Sequence, residues 1–545
     1  IVATGEALLS SYCKHQIAAG ATGSIRPAAE LRYGQDKVTS PCRGWKMDAQ
    51  TFDYIVVGAG SAGAAIASRL SESGRHRVLL LEAGGKTHPL SRVPISFVHF
   101  LTRPGVNWLY ESQADESTGG RNIPVPRGRM VGGSSAINGM VWVRGQSYDY
   151  DHWAQLGNRG WSYQDVLPIF KQLEDYQGGN DDLRGRDGPL KISDIDEWNK
   201  LYESMFHAAE RFGIKRNPDY NGATQDGIAM TQASIRNGRR MSTAHCYLEP
   251  AKSRDNLTIV TDALAECLTF DGKRCTGVRY SVNGAPLEAH AASEVIVSAG
   301  AIASPQLLEL SGVGQPERLK GLGIEVVHGL QGVGENLRDH WAPRMKWYLG
   351  RHGVTFNERA RGFGALMQGL QYFARRNGFL SLPASPLRAY VRTREGLQSP
   401  DGYVMMQPFL ATPDLKLAKE PGMSVIAHQL RPDSKGSIHI ASTDVNKHPE
   451  IRFNFLSEPT DRDCVLSVMR LVRNIVEAPE MAWLGPREFA PGPDVQSDYE
   501  LLDYVTQTAE TTYHPVGTCK MGSDPMAVVD DQLRVHGLDG LRVAD

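Results

Sequence analysis

The stretch Tyr54-Ile-Val-Val-Gly58-Ala-Gly60-Ser-Ala-Gly63 constrains this chain more than any other feature, because it joins a continuous apolar run to a helix through a turn of spaced glycines. Asp53 to Val57 reads as a buried strand, Ser61 to Glu72 as a helix, and Arg77 to Leu81 as a second buried strand ending in Glu82: one βαβ half. Gly58 permits the tight turn, Gly60 lets backbone approach a pyrophosphate, and Gly63 lets helix and strand pack closely. The helix start at Ser61 and Ala62 presents free N–H groups to the anion. Glu82 follows Gly63 by 19 residues, where a carboxylate accepts hydrogen bonds from a ribose and repels a 2'-phosphate. NADP is therefore disfavoured, while NAD and FAD both fit the motif.

At 545 residues the chain exceeds what one hydrophobic core usually supports, so a large cofactor domain with a substrate-binding part is expected. Lys plus Arg number 59 against 61 for Asp plus Glu, a net charge of -2 that offers no broad field for nucleic acid or anionic lipid. Seven cysteines, with no C-x-x-C pair, fit reduced thiols in a cytoplasmic enzyme and suggest no metal site. The apolar stretch Tyr54 to Leu70 is broken by Ser61, Ser68 and Arg69 before it reaches the ~20 residues of a membrane span. The expectation is a cytoplasmic protein with no transmembrane segment, and peripheral membrane association left open. Residues 1–46 lack helical or strand periodicity and the apolar core of a secretory signal, so they read as a tail outside the fold, with a start at Met47 fitting better.

Helical patterns recur at Ser162 to Asp175 and Glu197 to Phe212, a hairpin is expected in Leu257 to Tyr280 around Gly272, and Glu294 to Ala299 is another apolar strand running into a helix at Ala303. Cofactor-type signals dispersed this way imply a discontinuous domain. The expected fold class is α/β (α+β overall): a Rossmann-like FAD- or NAD-binding domain, with a substrate-binding domain built on an antiparallel sheet and helices. The boundaries drawn are 47–344 mainly for the cofactor domain, with substrate-domain segments around 160–245. Residues 345–500 form the substrate domain, and 501–545 return to the cofactor domain.

Residues 127–151, Arg-Gly-Arg-Met-Val-Gly-Gly-Ser-Ser-Ala-Ile-Asn-Gly-Met-Val-Trp-Val-Arg-Gly-Gln-Ser-Tyr-Asp-Tyr-Asp, form a small-residue stretch dense in backbone donors. With Gly300-Ala-Ile-Ala-Ser-Pro-Gln-Leu-Leu-Glu-Leu-Ser-Gly-Val-Gly314, Gly332 to His340 and His514-Pro-Val-Gly-Thr-Cys-Lys-Met-Gly522, the chain resembles the glucose-methanol-choline (GMC) family of FAD oxidoreductases from Phe52 to Asp545. The resemblance implies FAD. It places Gly58, Gly60, Ser61, Ala62 and Gly63 at the pyrophosphate and Glu82 and Ala83 by the adenosine ribose. Arg129, Val131, Gly133, Ser134, Asn138, Gly139, Met140 and Val141 would run toward the flavin ring, with Ala265 at the adenine and Asp545 at the chain's last contact. Ile137 stands where some relatives carry a histidine bonded to the flavin, which implies non-covalent FAD.

Alcohol oxidation needs a base, and imidazole, with an unperturbed pKa near ~6.5, accepts a proton at neutral pH. His514, in Tyr-His-Pro-Val-Gly-Thr, matches the family's catalytic histidine; His340 reads as a loop hydrogen-bonding residue, and His428 and His536 have no functional case. The implied reaction takes an alcohol to aldehyde or ketone by proton abstraction and hydride transfer to FAD. The electron acceptor stays open among oxygen, a quinone or a dye-like carrier. In the family a second histidine or asparagine follows some forty residues after the first; this sequence ends at Asp545, so impaired activity is expected of it. The wording is nearest to choline dehydrogenases and related bacterial alcohol dehydrogenases. Choline needs aromatic faces with a carboxylate, however, and Pro383 to Arg392 has no acid and carries Arg388, whose ordinary alternative is a surface ion pair. A neutral primary or aryl alcohol therefore leads, with choline and a FAD-containing hydroxynitrile lyase as alternatives. A fatty acid photodecarboxylase and a nicotinamide dehydrogenase fit less well.

Overall fold

A computed structural model describes residues 50–412 and 416–545; the tail assigned to 1–46 lies outside the described residues. The elements that build its two large sheets and flank them are, along the chain, β1 (Gln50–Val57), α1 (Ser61–Leu70), β2 (Val78–Leu81), β3 (Gly227–Met230), β4 (Leu257–Val260), β5 (Ala263–Asp271), β6 (Arg274–Val282), β7 (Ala285–Val297), α2 (Gly300–Leu310), β8 (Arg344–Tyr348), α3 (Phe363–Arg375), β9 (Leu387–Val391), β10 (Gly402–Gln407), β11 (Gly422–Gln429), α4 (Pro459–Glu477), β12 (Arg487–Ala490) and β13 (Leu541–Val543).

The first sheet runs β4-β2-β1-β7-β6-β5, with β13 pairing the end of the long β7 on the edge whose start β6 occupies. β4, β2, β1, the second half of β7 and β13 are parallel, and β5, β6 and the first half of β7 form an antiparallel meander. Helix cover on a parallel strand buries both faces, which is why Ile55 and Val56, neighbours pointing in opposite directions, are both wholly buried. The small side chains of Ala64 and Ala67 seat α1 against this sheet. The expected hairpin around Gly272 is present as β5 and β6, and the strand expected at Glu294 is the end of a thirteen-residue β7.

The second sheet is antiparallel throughout, in the order β12-β8-β11-β10-β9-β3. Ala389 and Val391, Val404 and Met406, and Val425 and Ala427 alternate along three strands and face the core completed by Val465, Val468, Met469 and Val472 of α4. The intervening positions Arg388, Tyr390, Tyr403, Met405 and His428 occupy the opposite face by the same alternation, and Tyr390, Tyr403 and His428 lie in register across β9, β10 and β11.

Two further connections position the site. Residues 338–342 run antiparallel to 510–516, with Arg338 bridged to Val516 and Trp341 opposite Thr511. In the layer between 141 and 232, Glu174 is wholly buried, accepting from Arg144 Nη2 at 2.5 Å and Arg184 Nε at 2.8 Å.

Candidate active site

Parallel strands share one carboxyl edge, and in open α/β sheets ligands bind there. In this chain that edge collects segments far apart in sequence. Gly58 follows β1, Glu82 and Ala83 follow β2, Ser298 and Gly300 follow β7, and Asp545 follows β13; all line one cavity with Gly60, Ser61, Gly133, Ser134 and Ala265. Nine of the expected cofactor contacts are thus brought together. Trp108, Tyr110, Arg127, Ile302 and Gln306 also line it and were not anticipated individually, although Arg127 opens the glycine-rich stretch 127–151.

The cavity wall suits a diphosphate. Gly60 and Ala299 are the N-cap residues of α1 and α2, neither with a side-chain cap, so first-turn N–H groups of two helices remain for an anion. Asp545 accepts from the Gly300 N–H. A Cβ on Gly58 would lie 2.4 Å from the Ser298 carbonyl oxygen and one on Gly63 only 1.9 Å from that of Gly58, so close backbone packing dictates glycine at both. On Gly300, at φ +85°, a Cβ would meet nothing within 4 Å, which leaves that backbone open to a ligand. Glu82 is buried and pinned, Oε2 accepting from Ala59 N at 3.0 Å and Oε1 from Gly84 N at 2.8 Å. Burial raises its pKa, and each oxygen retains a lone pair for a hydroxyl donor.

The remaining expected contacts do not line this cavity. Ala62 and Gly63 lie in the first turn of α1, and Val131 packs behind that helix while its N–H donates to Gly85 O at 3.0 Å. The Arg129 guanidinium lies 4.7 Å from the centre of the Trp108 ring. Asn138 Oδ1 accepts from Arg240 Nη1 at 2.7 Å and Met140 N at 3.0 Å; Gly139 O accepts from Ala384 N at 3.1 Å; Val141 bridges Ala233. Ile137 is buried with Phe100, Met130 and Ala136.

His514 sits beyond the Arg127 end of the cavity. Arg127 Nη1 donates to Tyr513 O at 2.6 Å, so one residue touches both the cavity and the turn that carries the histidine. Asp339 Oδ1 accepts from His514 N at 3.0 Å and His340 N at 2.7 Å, and its other oxygen accepts from Thr511 Oγ1. Side chains then settle the tautomers. Leu430 O only accepts, so His340 Nε2, 3.0 Å away, carries a proton and neutral His340 Nδ1 is an acceptor. Thr512 Oγ1 lies 3.3 Å from that Nδ1 and 2.9 Å from His514 Nδ1, and the two Nδ1 atoms are 3.2 Å apart. With His340 Nδ1 an acceptor, a proton on His514 Nδ1 avoids opposing two lone pairs across 3.2 Å, and that tautomer leaves the lone pair on Nε2, which has no hydrogen-bond partner among the described residues.

His340 stacks on His428 at 4.3 Å between ring centres, and His428 Nδ1 donates to Gln429 O at 2.7 Å. His340, which the sequence left as a loop residue, is thus beside His514 through the pairing of 338–342 with 510–516, and His428 of β11 stacks on His340. His514 keeps accessible surface on one side, and the protein packed around the rest disfavours the imidazolium. Burial, then His340 and Arg127, push its pKa down to about 3, and access of water moderates that shift. Burial likewise lowers His340 and His428. Asp339 is pushed up to about 6 by burial against its three hydrogen bonds. His536 makes a loop contact to Gly522 O.

Arg388 is not at the surface. It is 1% exposed, its Nε donates to Thr231 Oγ1 at 2.9 Å, and its guanidinium lies against the rings of Tyr220 and Tyr403 at 5.5 and 5.7 Å, with no ion pair among the described residues. Tyr403 in turn packs on His428 at 4.7 Å.

The chain matches the GMC oxidoreductase family over residues 52–342 and again over 432–545. It is 40% identical, over 519 residues covering 91% of this chain and 90% of the relative, to the oxygen-dependent choline dehydrogenase of Chromohalobacter salexigens. Among solved structures it is similar to pyridoxine 4-oxidase from Mesorbium loti, with a TM-score of 0.81, 30% identity, and 90% and 93% of the two chains covered. It is also similar to a FAD-dependent oxidoreductase from Chaetomium thermophilum, with a TM-score of 0.83, 25% identity, and 90% and 94% covered.

Proposed function

Because the chain belongs to the GMC oxidoreductase family, we propose that it uses non-covalently bound FAD to oxidise a neutral primary or aryl alcohol to its carbonyl product, with His514 as the base. When bound, FAD supplies the acceptor for the carbinol hydride. Gly58, Gly60, Ser61 and the two helix starts hold its diphosphate, Glu82 takes a ribose hydroxyl, and Ile137 in its apolar cluster has no nucleophile to offer the flavin. Ala62, Gly63, Arg129, Val131 and residues 138–141 support that cradle from behind and beside it. The first sheet then carries the cofactor and the second the substrate side.

The observation that carries the reading is His514, whose Nδ1 faces Thr512 and His340 and whose Nε2 has no hydrogen-bond partner among the described residues. Held by Thr512 and His340 on its Nδ1 side, His514 presents a lone pair to an alcohol hydroxyl and takes its proton as the hydride leaves. His514 is neutral throughout the physiological range, so no proton must first be removed from it.

The relatives named for choline support choline as the second reading. Arg388 supports the neutral alcohol: a buried guanidinium without an acid, joined through Tyr403 and His428 to the histidine cluster, raises the cost of a quaternary ammonium nearby. Anaerobic mixing of the purified protein with a panel of alcohols, followed by flavin absorbance, tests both. Bleaching by benzyl and primary aliphatic alcohols but weakly by choline is expected. Faster bleaching by choline overturns the substrate assignment alone, whereas a colourless protein that gains nothing from added FAD overturns the whole reading.

A further inference from the structure

Helix α3 is built inside out. Phe363, Met367, Leu370 and Phe373, three or four residues apart on one face, are 75%, 46%, 56% and 67% exposed. Its polar side chains turn inward instead: Gln368 Oε1 accepts from Phe379 N at 2.8 Å, and Gln371 Nε2 donates to Asn377 at 3.1 Å. A helix at a water boundary shows the opposite arrangement. It is nonetheless fixed to the body, because buried Tyr372 donates its hydroxyl to Gly238 O at 2.9 Å.

Cations rim this face. Residues 359–376 contain Arg359, Arg361, Arg375 and Arg376 and no Asp or Glu. Arg359 pairs with Glu197, but Arg361 and Arg375 are exposed and make no ion pair among the described residues, and Arg376 lies beside the Tyr372 and Phe373 rings at 5.1 and 5.7 Å. The near-zero net charge of the whole chain conceals this local excess.

We propose that the α3 face docks on an anionic lipid surface, the helix lying in the interface with its phenylalanines among the acyl chains and Arg361, Arg375 and Arg376 at the phosphates. No helix among the described residues is long and apolar enough to cross a membrane, so the attachment is peripheral. A second copy of the chain is the poorer occupant, because a two-fold contact through this face would oppose one arginine rim to another.

Co-sedimentation with vesicles of phosphatidylcholine alone, and of equal parts phosphatidylcholine and phosphatidylglycerol, tests the proposal. The protein is expected to bind the anionic vesicles and to bind them less at high salt. The double variant Arg361→Gln, Arg375→Gln is expected to partition about 30-fold more weakly, and Phe363→Ser, Phe373→Ser to lose binding, both keeping full alcohol oxidation in solution. Absence of wild-type binding to anionic vesicles overturns the proposal, as does wild-type partitioning of both variants. So does a change in self-association of the phenylalanine variant, by sedimentation velocity, without loss of vesicle binding.

Discussion

Leu430 bears on the histidine cluster without a side chain, because its carbonyl oxygen accepts from His340 Nε2–H and leaves His340 Nδ1 to face Thr512 and His514. His514→Ala removes the proposed base, and alcohol oxidation is expected to fall by about 10²–10⁴-fold with flavin content preserved, measured as the anaerobic bleaching rate. The depressed pKa of His514 carries a second expectation. The base form persists as pH falls, so kcat/KM for the alcohol should stay level through about 6.5, the ordinary imidazole range, and decline only well below it. His340→Asn removes a group that disfavours the imidazolium, so the acid limb should move up toward 6.5; an unmoved limb would leave His340 a packing residue. His514 was singled out in the sequence by its match to the family's histidine in Tyr-His-Pro-Val-Gly-Thr. The tautomer was not legible there, since it depends on Leu430, more than eighty residues away in sequence.

At the level of elements, the β1–α1 turn shows how little freedom the backbone has. With a Cβ on residue 63 only 1.9 Å from the Gly58 carbonyl oxygen, Gly63→Ala must push α1 away from β1 and with it the helix start. Visible flavin absorbance per protein is expected to drop severalfold, and full occupancy in that variant would count against α1 as the diphosphate site. Helices with strong local signals were readable to within a few residues: Ser162 and Asp165 cap Tyr163–Leu173 reciprocally, and Asn199 caps Lys200–Arg211. The start of α2 was placed three residues late, because nothing local caps it; its first N–H finds Asp545 instead.

Across the whole molecule, buried charge couples distant layers. Glu174→Ala leaves Arg144 buried without a carboxylate and Arg184 with Asp219 alone, and should cost about 3–5 kcal/mol, read as a lowered denaturant midpoint. Asp339 acts in the opposite sense to an ordinary ion-paired acid. Its folded pKa of about 6 lies above the unfolded value of about 3.9, so its contribution to stability is present in acid and lost as pH rises through 6. Asp339→Asn retains the acceptor for His514 N and His340 N and should flatten the fall in stability between about pH 4 and 6, followed by denaturant unfolding. The chain's own order of residues determined what is local: strand and helix periods, the glycine spacing that needs close backbone approach, and the signatures of a flavin oxidoreductase. Tertiary structure alone decided which distant pieces share an edge or a face. Parallel pairing sets Gly58, Glu82, Ser298 and Asp545 around one cavity, and sheet alternation turns Arg388 into a buried charge. A side chain's partners, and through them its proton and its charge, are set by packing across the chain rather than by its neighbours along it.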